Sequence, residues 1–168
     1  MKESTLISLD KTKIFISSLT DELTKDFKEI VAGDWGMYEP TDLQNVFLID
    51  LEIFPDGYGL AAYPSDINLT QLGYKSLLKK YPDGPLREFT EGLDIDSIDF
   101  KNEDDSKEFD EYFNILTDSY ISWISKCWDD AGGQNFSKPI YVMMHDGDDS
   151  FDLISKKWVS SENKWPEV

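Results

Sequence analysis

The stretch Val46-Phe47-Leu48-Ile49-Asp50-Leu51-Glu52-Ile53-Phe54-Pro55-Asp56-Gly57-Tyr58-Gly59-Leu60-Ala61-Ala62-Tyr63-Pro64 decides how the chain is read. Phe47, Ile49, Leu51 and Ile53 alternate with Leu48, Asp50 and Glu52, the period of two that marks a strand with one buried face. Pro55-Asp56-Gly57 supplies turn chemistry, and Tyr58 to Tyr63 reads as a return strand that Pro64 ends. The expectation is a hairpin with its first strand between Leu43 and Phe54.

Upstream, Leu19, Leu23, Phe27, Ile30 and Val31 recur at spacings of three and four, which predicts an amphipathic helix. Ser18 and Asp21 are placed as a capping box, Gly33 is placed as a stop, and Ile14 and Phe15 continue the stripe towards a start near Asp10. Downstream, Leu69, Leu72, Leu77 and Leu78 suggest a short helix between Leu69 and Tyr81, weakened by Gly73. The clearest element runs from Asp104 to Asp130. There Phe109, Tyr112, Phe113, Leu116, Tyr120, Trp123, Ile124, Cys127 and Trp128 form one stripe, with Asn102 or Asp104 as cap and Gly132-Gly133 as the end. Pro139 to Met144 and Phe151 to Val159 read as a second hairpin, joined across His145-Asp146-Gly147-Asp148-Asp149-Ser150. Two hairpins and two or three helices give an α+β fold, an antiparallel sheet with the helices packed on one face, in a single domain over residues 1–168.

Apolar residues make up 40% of the 168-residue chain and aromatics 14%, enough for a packed core without a metal or disulfide. Cys127 is the only cysteine, so no intrachain disulfide forms. The N-terminal residues lack the apolar stretch of a signal peptide, and no apolar run approaches the ~20 residues of a membrane span. A soluble, cytoplasmic protein is the expectation. No phosphate-binding loop, dinucleotide fingerprint, nucleophile elbow or zinc-protease motif occurs, so no enzyme and no cofactor are expected.

The formal net charge of −18 argues against direct binding to nucleic acid, whose phosphates would be repelled, and favours a basic partner. That charge is unevenly spread. Twelve acids lie between Glu88 and Asp118, opposed only by Lys101 and Lys107, so this window carries more than half of the total. Clustered charge of one sign steers a cationic partner and speeds its association. Acids at the start of the long helix also have a structural explanation, because each stabilises the positive end of the helix dipole by about 0.3–1 kcal/mol. Trp35 and Tyr58 fall on loops in this reading and are candidate anchors for a partner.

His145 lies beside Asp146, Asp148 and Asp149, a grouping that suits a divalent cation or an acid–base pair. It does not match the calcium-loop pattern, and an aspartate-rich hairpin turn is a common structural solution. Cys127 sits on the apolar stripe and reads as a buried, inert thiol. A metal-dependent hydrolase using His145 and its aspartates, and an intracellular scaffold or regulatory subunit, stand as alternatives to a binding protein.

A small, cysteine-poor, acidic α+β chain with clustered carboxylates resembles the immunity proteins that bacteria use against polymorphic or contact-dependent toxins. The features that carry the resemblance are the acidic segment Glu88 to Glu111, the strand pair Val46 to Tyr63 and the C-terminal hairpin Tyr141 to Trp158. It implies binding to a cognate toxin, often a basic nuclease domain, with acids standing in for phosphates at the toxin's active site. Asp94, Asp96, Asp99, Glu103, Asp104 and Asp105 would form the steering patch.

Overall fold

The computed structural model describes residues 3–35, 38, 44–54, 59–68, 70–73, 75–78, 101–145 and 147–160. Among these, three α-helices and five strands follow one another as α1 (Glu3–Ser18), α2 (Thr20–Ala32), β1 (Leu48–Phe54), β2 (Gly59–Ser65), α3 (Glu103–Asp130), β3 (Ile140–Met144), β4 (Asp149–Asp152) and β5 (Lys157–Ser160). The fold is α+β. One sheet in the order β2-β1-β3-β4-β5 carries the helices on one face.

Pairing of Leu51 with Ala62 and Val142, and of Ile53 with Leu60 and Met144, puts these residues in rows on one side of the pleat. They join a single core with Leu23, Phe27 and Ile30 of α2 and with Leu116, Ile124 and Trp128 of α3. The expected first hairpin is β1 and β2, antiparallel from Leu48↔Ser65 to Phe54↔Gly59. The sheet is mixed, however, because β1 and β3 run parallel with Ile49 opposite Ile140. A parallel pair needs a long crossover connection, and the segment containing α3 supplies it.

The predicted N-terminal helix is two helices that meet at Leu19. The capping box at Ser18 is not formed, since Leu19 takes the N-cap position without a side-chain bond. Ser17 Oγ donates to the Lys13 carbonyl at 2.7 Å, Ser18 Oγ to that of Phe15 at 2.6 Å and Thr20 Oγ1 to that of Ser17 at 2.8 Å. These hydroxyls close the end of α1 instead of opening α2. The break shifts the apolar phase: Leu9, Thr12 and Ile16 are buried, whereas Ile14 is 73% exposed. Gly33 ends α2 as expected, at φ 75° with its N–H on the Ile30 carbonyl.

The helix expected from Leu69 to Tyr81 is absent from its described residues. Leu77 N–H donates to the Ala62 carbonyl at 2.8 Å, Leu72 N–H to that of Pro64 at 2.9 Å, and Ser76 Oγ accepts from Ala62 N–H at 2.9 Å. The segment spends its polar groups on the open edge of β2, which would otherwise stay unpaired. The expected strand Phe151 to Val159 is likewise split into β4 and β5. Between them the Asp152 carboxylate accepts from Ile154 N–H at 2.8 Å, Ser155 N–H at 3.2 Å and Ser155 Oγ at 2.7 Å, and Lys156 turns at φ 57°.

Helix α3 is the longest element, 28 residues or about 42 Å at 1.5 Å per residue. Asn102 caps it, its side chain accepting from Asp104 N–H at 3.0 Å. Near its other end Trp128 is fully buried, meeting Phe27 edge-on at 5.3 Å and Phe136 at 5.4 Å. Gly132 turns the chain at φ 84° into the 3-10 turn Gly133–Asn135. Gly133 lies against the indole so closely that a Cβ there would fall 2.1 Å from a ring carbon. Among the described residues no helix is long and apolar enough to cross a membrane.

Gly133→Ala must displace Trp128 and is expected to lower stability in denaturant unfolding by about 1–3 kcal/mol, with a shift in native tryptophan emission. Gly132→Ala meets nothing within 4 Å. It should cost about 1–2 kcal/mol through left-handed backbone strain alone and leave the emission unchanged. An unaltered emission spectrum in Gly133→Ala would refute the indole contact.

Candidate functional site

Helix α3 is divided along its length. Its C-terminal half is wrapped in core, with Tyr120, Ile121, Trp123, Ile124, Cys127 and Trp128 all buried. Its N-terminal half buries Tyr112 and Leu116 and packs Phe113 and Ile115 against the same core, and the rest of its circumference carries mainly polar side chains. From Lys101 to Asp118 these include seven carboxylates and two lysines. Asp104, Glu111 and Asp118 are exposed and follow one another at seven-residue intervals, which places them nearly in line along the helix about 10.5 Å apart. Glu103 and Asp110 flank that seam and are exposed as well, while Asp105 and Glu108 are half-buried beside it. Lys107 approaches Glu103 at 3.6 Å, with side chains 73% and 90% exposed, a solvated helix pair worth a few tenths of a kcal/mol.

Of the residues expected in the steering patch, Glu103, Asp104 and Asp105 are brought together in the first turn of α3. Asp94, Asp96 and Asp99 lie outside the described residues, as does Tyr58. Trp35 is described, and it is not on a loop surface. It is 6% exposed, and its indole Nε1 donates to the Ile30 carbonyl at 2.9 Å, satisfying one of the carbonyls left open at the end of α2. The ring closes the core and is not presented to a partner. Trp123 is a core residue too, its Nε1 donating to Thr20 Oγ1 at 3.2 Å, a contact that ties α3 to the start of α2.

His145 follows β3 directly. Its N–H donates to the Ile53 carbonyl at 2.8 Å, which carries the β1–β3 pairing one residue further. This brings the imidazole to β1: Nδ1 lies 3.5 Å from Glu52 Oε2, and the ring packs on Phe54 at 4.4 Å between centroids and 35° between planes. Glu52 has solvent-facing parity in the sequence, but its meeting with His145 depends on a parallel register that no local pattern announces. Asp148 and Asp149, expected to work with His145, are exposed, and Asp146 lies outside the described residues. Among the described residues no group of three or more histidine, cysteine, aspartate or glutamate side chains is arranged to hold a metal ion.

Two phenols on the same sheet face are perturbed. Burial and then the Glu52 charge push the Tyr63 hydroxyl up, and burial followed by Asp152 and Asp50 does the same to Tyr141. The Cys127 thiol is also pushed up, chiefly by burial. It is 0% exposed and its Sγ lies 3.7 Å from the Thr20 carbonyl, so it has neither the access nor the ionisation of a nucleophile.

Fold and site together define a class: an acidic α+β protein with a run of carboxylates along one half of a long helix. Comparison with known proteins adds no relative, since no family model, no curated protein and no solved structure matches the chain.

The buried thiol generates an expectation of its own. Native protein should react with Ellman's reagent at least about a hundredfold more slowly than the same chain in denaturant, because the thiolate is suppressed and covered. Comparable rates in the two states would contradict the burial of Cys127.

Proposed function

We propose that this protein is a non-enzymatic binder of a basic protein, and in its most specific form an immunity protein that neutralises a cognate toxin by covering its active site. The observation that supports the reading is the first half of α3, where five exposed carboxylates, Glu103, Asp104, Asp110, Glu111 and Asp118, stand against one lysine, Lys107, which already lies beside Glu103. Charge of one sign held on a rigid rod creates a field that reaches beyond contact distance and raises the encounter rate with a cationic surface. The chain's net charge of −18 points the same way, towards a basic protein and away from nucleic acid itself. A nuclease domain fits as the target, since a surface that binds phosphates also accepts a ladder of carboxylates. On this reading the protein acts in the cytoplasm, where such a toxin would meet its substrate.

The test is a partner captured from native lysate and followed by stopped flow. The triple reversal Asp104→Lys, Glu111→Lys, Asp118→Lys is expected to slow association about tenfold or more at low salt, with a much smaller effect on dissociation. The salt dependence of the on-rate should flatten at the same time. An on-rate unchanged at low ionic strength would remove the steering role.

A further inference from the structure

A cavity of about 370 Å³ opens between the end of α2 and the segment that leads from the 3-10 turn into β3. That volume falls within the roughly 300–1,000 Å³ of small-molecule sites. Ala32, Gly33 and Trp35 line it from the side of α2, and Asn135, Phe136 and Lys138 from the side of β3. The aromatic wall is already held in place. Trp35 is fixed by its indole bond to the Ile30 carbonyl, and Phe136 by its edge-on contact with Trp128 at 5.4 Å. Lys138 supplies the charge. It is half-buried, and its ammonium donates to the Val46 carbonyl at 2.6 Å. Lys107, Lys126 and Lys156 each lie beside a carboxylate, whereas none among the described residues pairs with Lys138, in a chain with 34 acids. An ammonium has three donors, so two of its N–H groups stand without a protein acceptor among the described residues. The carbonyls that draw cations to a helix end are partly spent here. That of Ile30 accepts from Gly33 N–H and the Trp35 indole, and that of Glu29 from Asp34 N–H.

We infer that this cavity binds a small carboxylic acid with an apolar body, whose carboxylate takes the two open donors of Lys138 and whose apolar part lies against Trp35 and Phe136. The site does not depend on the proposed basic partner and shares no residue with the acids of α3. Charge selects an acid over an amine. An ammonium ligand would meet the Lys138 charge, and a neutral ligand would forgo the charge-assisted bond. The exposed Asn135 amide adds a neutral donor on the same lining. The net charge of −18 repels anions at long range, but salt of about 0.15 M screens that repulsion over roughly 8 Å and leaves a bond at contact largely intact. Apolar wall, one cation and few other polar groups are the make-up of a site that orients a small amphiphilic ligand. A free acid carries this chemistry, and so does the C-terminal residue of a peptide when its side chain is apolar.

The test is a titration of the ¹⁵N-labelled full chain, at about 0.15 M salt, with 3-phenylpropionate, its neutral amide 3-phenylpropanamide and the amine 3-phenylpropylamine. Amide shifts are expected at residues 32–33 and 135–138 with a Kd on the order of 1 mM for the acid. The amide and the amine should bind at least about tenfold more weakly. Lys138→Met should abolish the preference for the acid, and Lys138→Arg should retain it. Ala32→Glu alters an exposed lining position and leaves Lys138 in place, so it keeps the test open if Lys138→Met fails to fold. Its added carboxylate competes for the same donors and should weaken 3-phenylpropionate about tenfold. A Gly-Gly-Gly-Phe peptide with a free carboxylate separates the two sources: tighter binding than 3-phenylpropionate assigns a chain terminus, weaker binding a free acid, and either supports the site. Equal binding of acid and neutral amide would overturn the inference, as would shifts centred elsewhere, no shifts at about ten times the expected Kd, or undiminished binding in Ala32→Glu.

Discussion

The parallel pairing of β1 with β3 holds the two parts of this molecule together. The N-terminal hairpin of β1 and β2 and the C-terminal meander of β3, β4 and β5 are each built from local antiparallel contacts, and only the Ile49–Ile53 edge against Ile140–Met144 merges them into one sheet. That junction is fully apolar on the helix side, where Ile49, Leu51, Ile53, Ile140 and Val142 are each 0% exposed. Burying a side chain of this size contributes about 1.5–3 kcal/mol, so five of them in contact outweigh any surface ion pair of the fold. The same junction dictates that the chain between β2 and β3 cross over the sheet, which is why α3 lies where α2 can pack on it.

α3 is held along its length, its C-terminal half by the core around Trp128 and its N-terminal half through Tyr112 and Leu116, which join the same core as Leu9 and Ile16 of α1. Trp128 between Phe27 and Phe136, with Gly133 closed against its ring, anchors one end. The bond from Trp123 to Thr20 fixes the rotation about the helix axis. With rotation fixed, the seven-residue spacing of Asp104, Glu111 and Asp118 sets the direction their seam faces. Under the proposed role this matters energetically. Carboxylates on a helix that is already ordered pay no loop-ordering cost on binding, while the same charges on a flexible segment would.

Features written in short-range periodicity were legible in the sequence: the alternation from Ile49 to Ile53, though Leu48 on the other face is buried as well, the stripe from Phe109 to Trp128, the Asn102 cap and the Gly33 stop. The misread ones turn on where a polar side chain spends its hydrogen bonds. Ser17, Ser18 and Thr20 close one helix when the pattern suggested that Ser18 opens the next, and Asp152 folds a turn into what reads as a continuous strand. The leucines of the expected third helix are real core residues, with Leu77 and Leu78 buried, but their backbone serves the edge of β2. Hydrophobicity therefore gave their burial and not their conformation. Candidate site residues divide in the same way. Glu103, Asp104 and Asp105 could be placed because helix periodicity places them, whereas Glu52 and His145 are distant in sequence and meet only through long-range register.

The acids of the long helix and Glu52 at the His145 corner sit in different dielectric surroundings. Charges along α3 are well hydrated, so each acts weakly at contact but sums with its neighbours at a distance, which favours encounter over residence. Glu52 is half-buried and lies 3.5 Å from His145 Nδ1, so its charge is less screened than those on the helix. Added salt therefore weakens the summed field of the α3 acids first and reaches the Glu52–His145 contact last, because solvent screening acts on exposed charges far more than on half-buried ones.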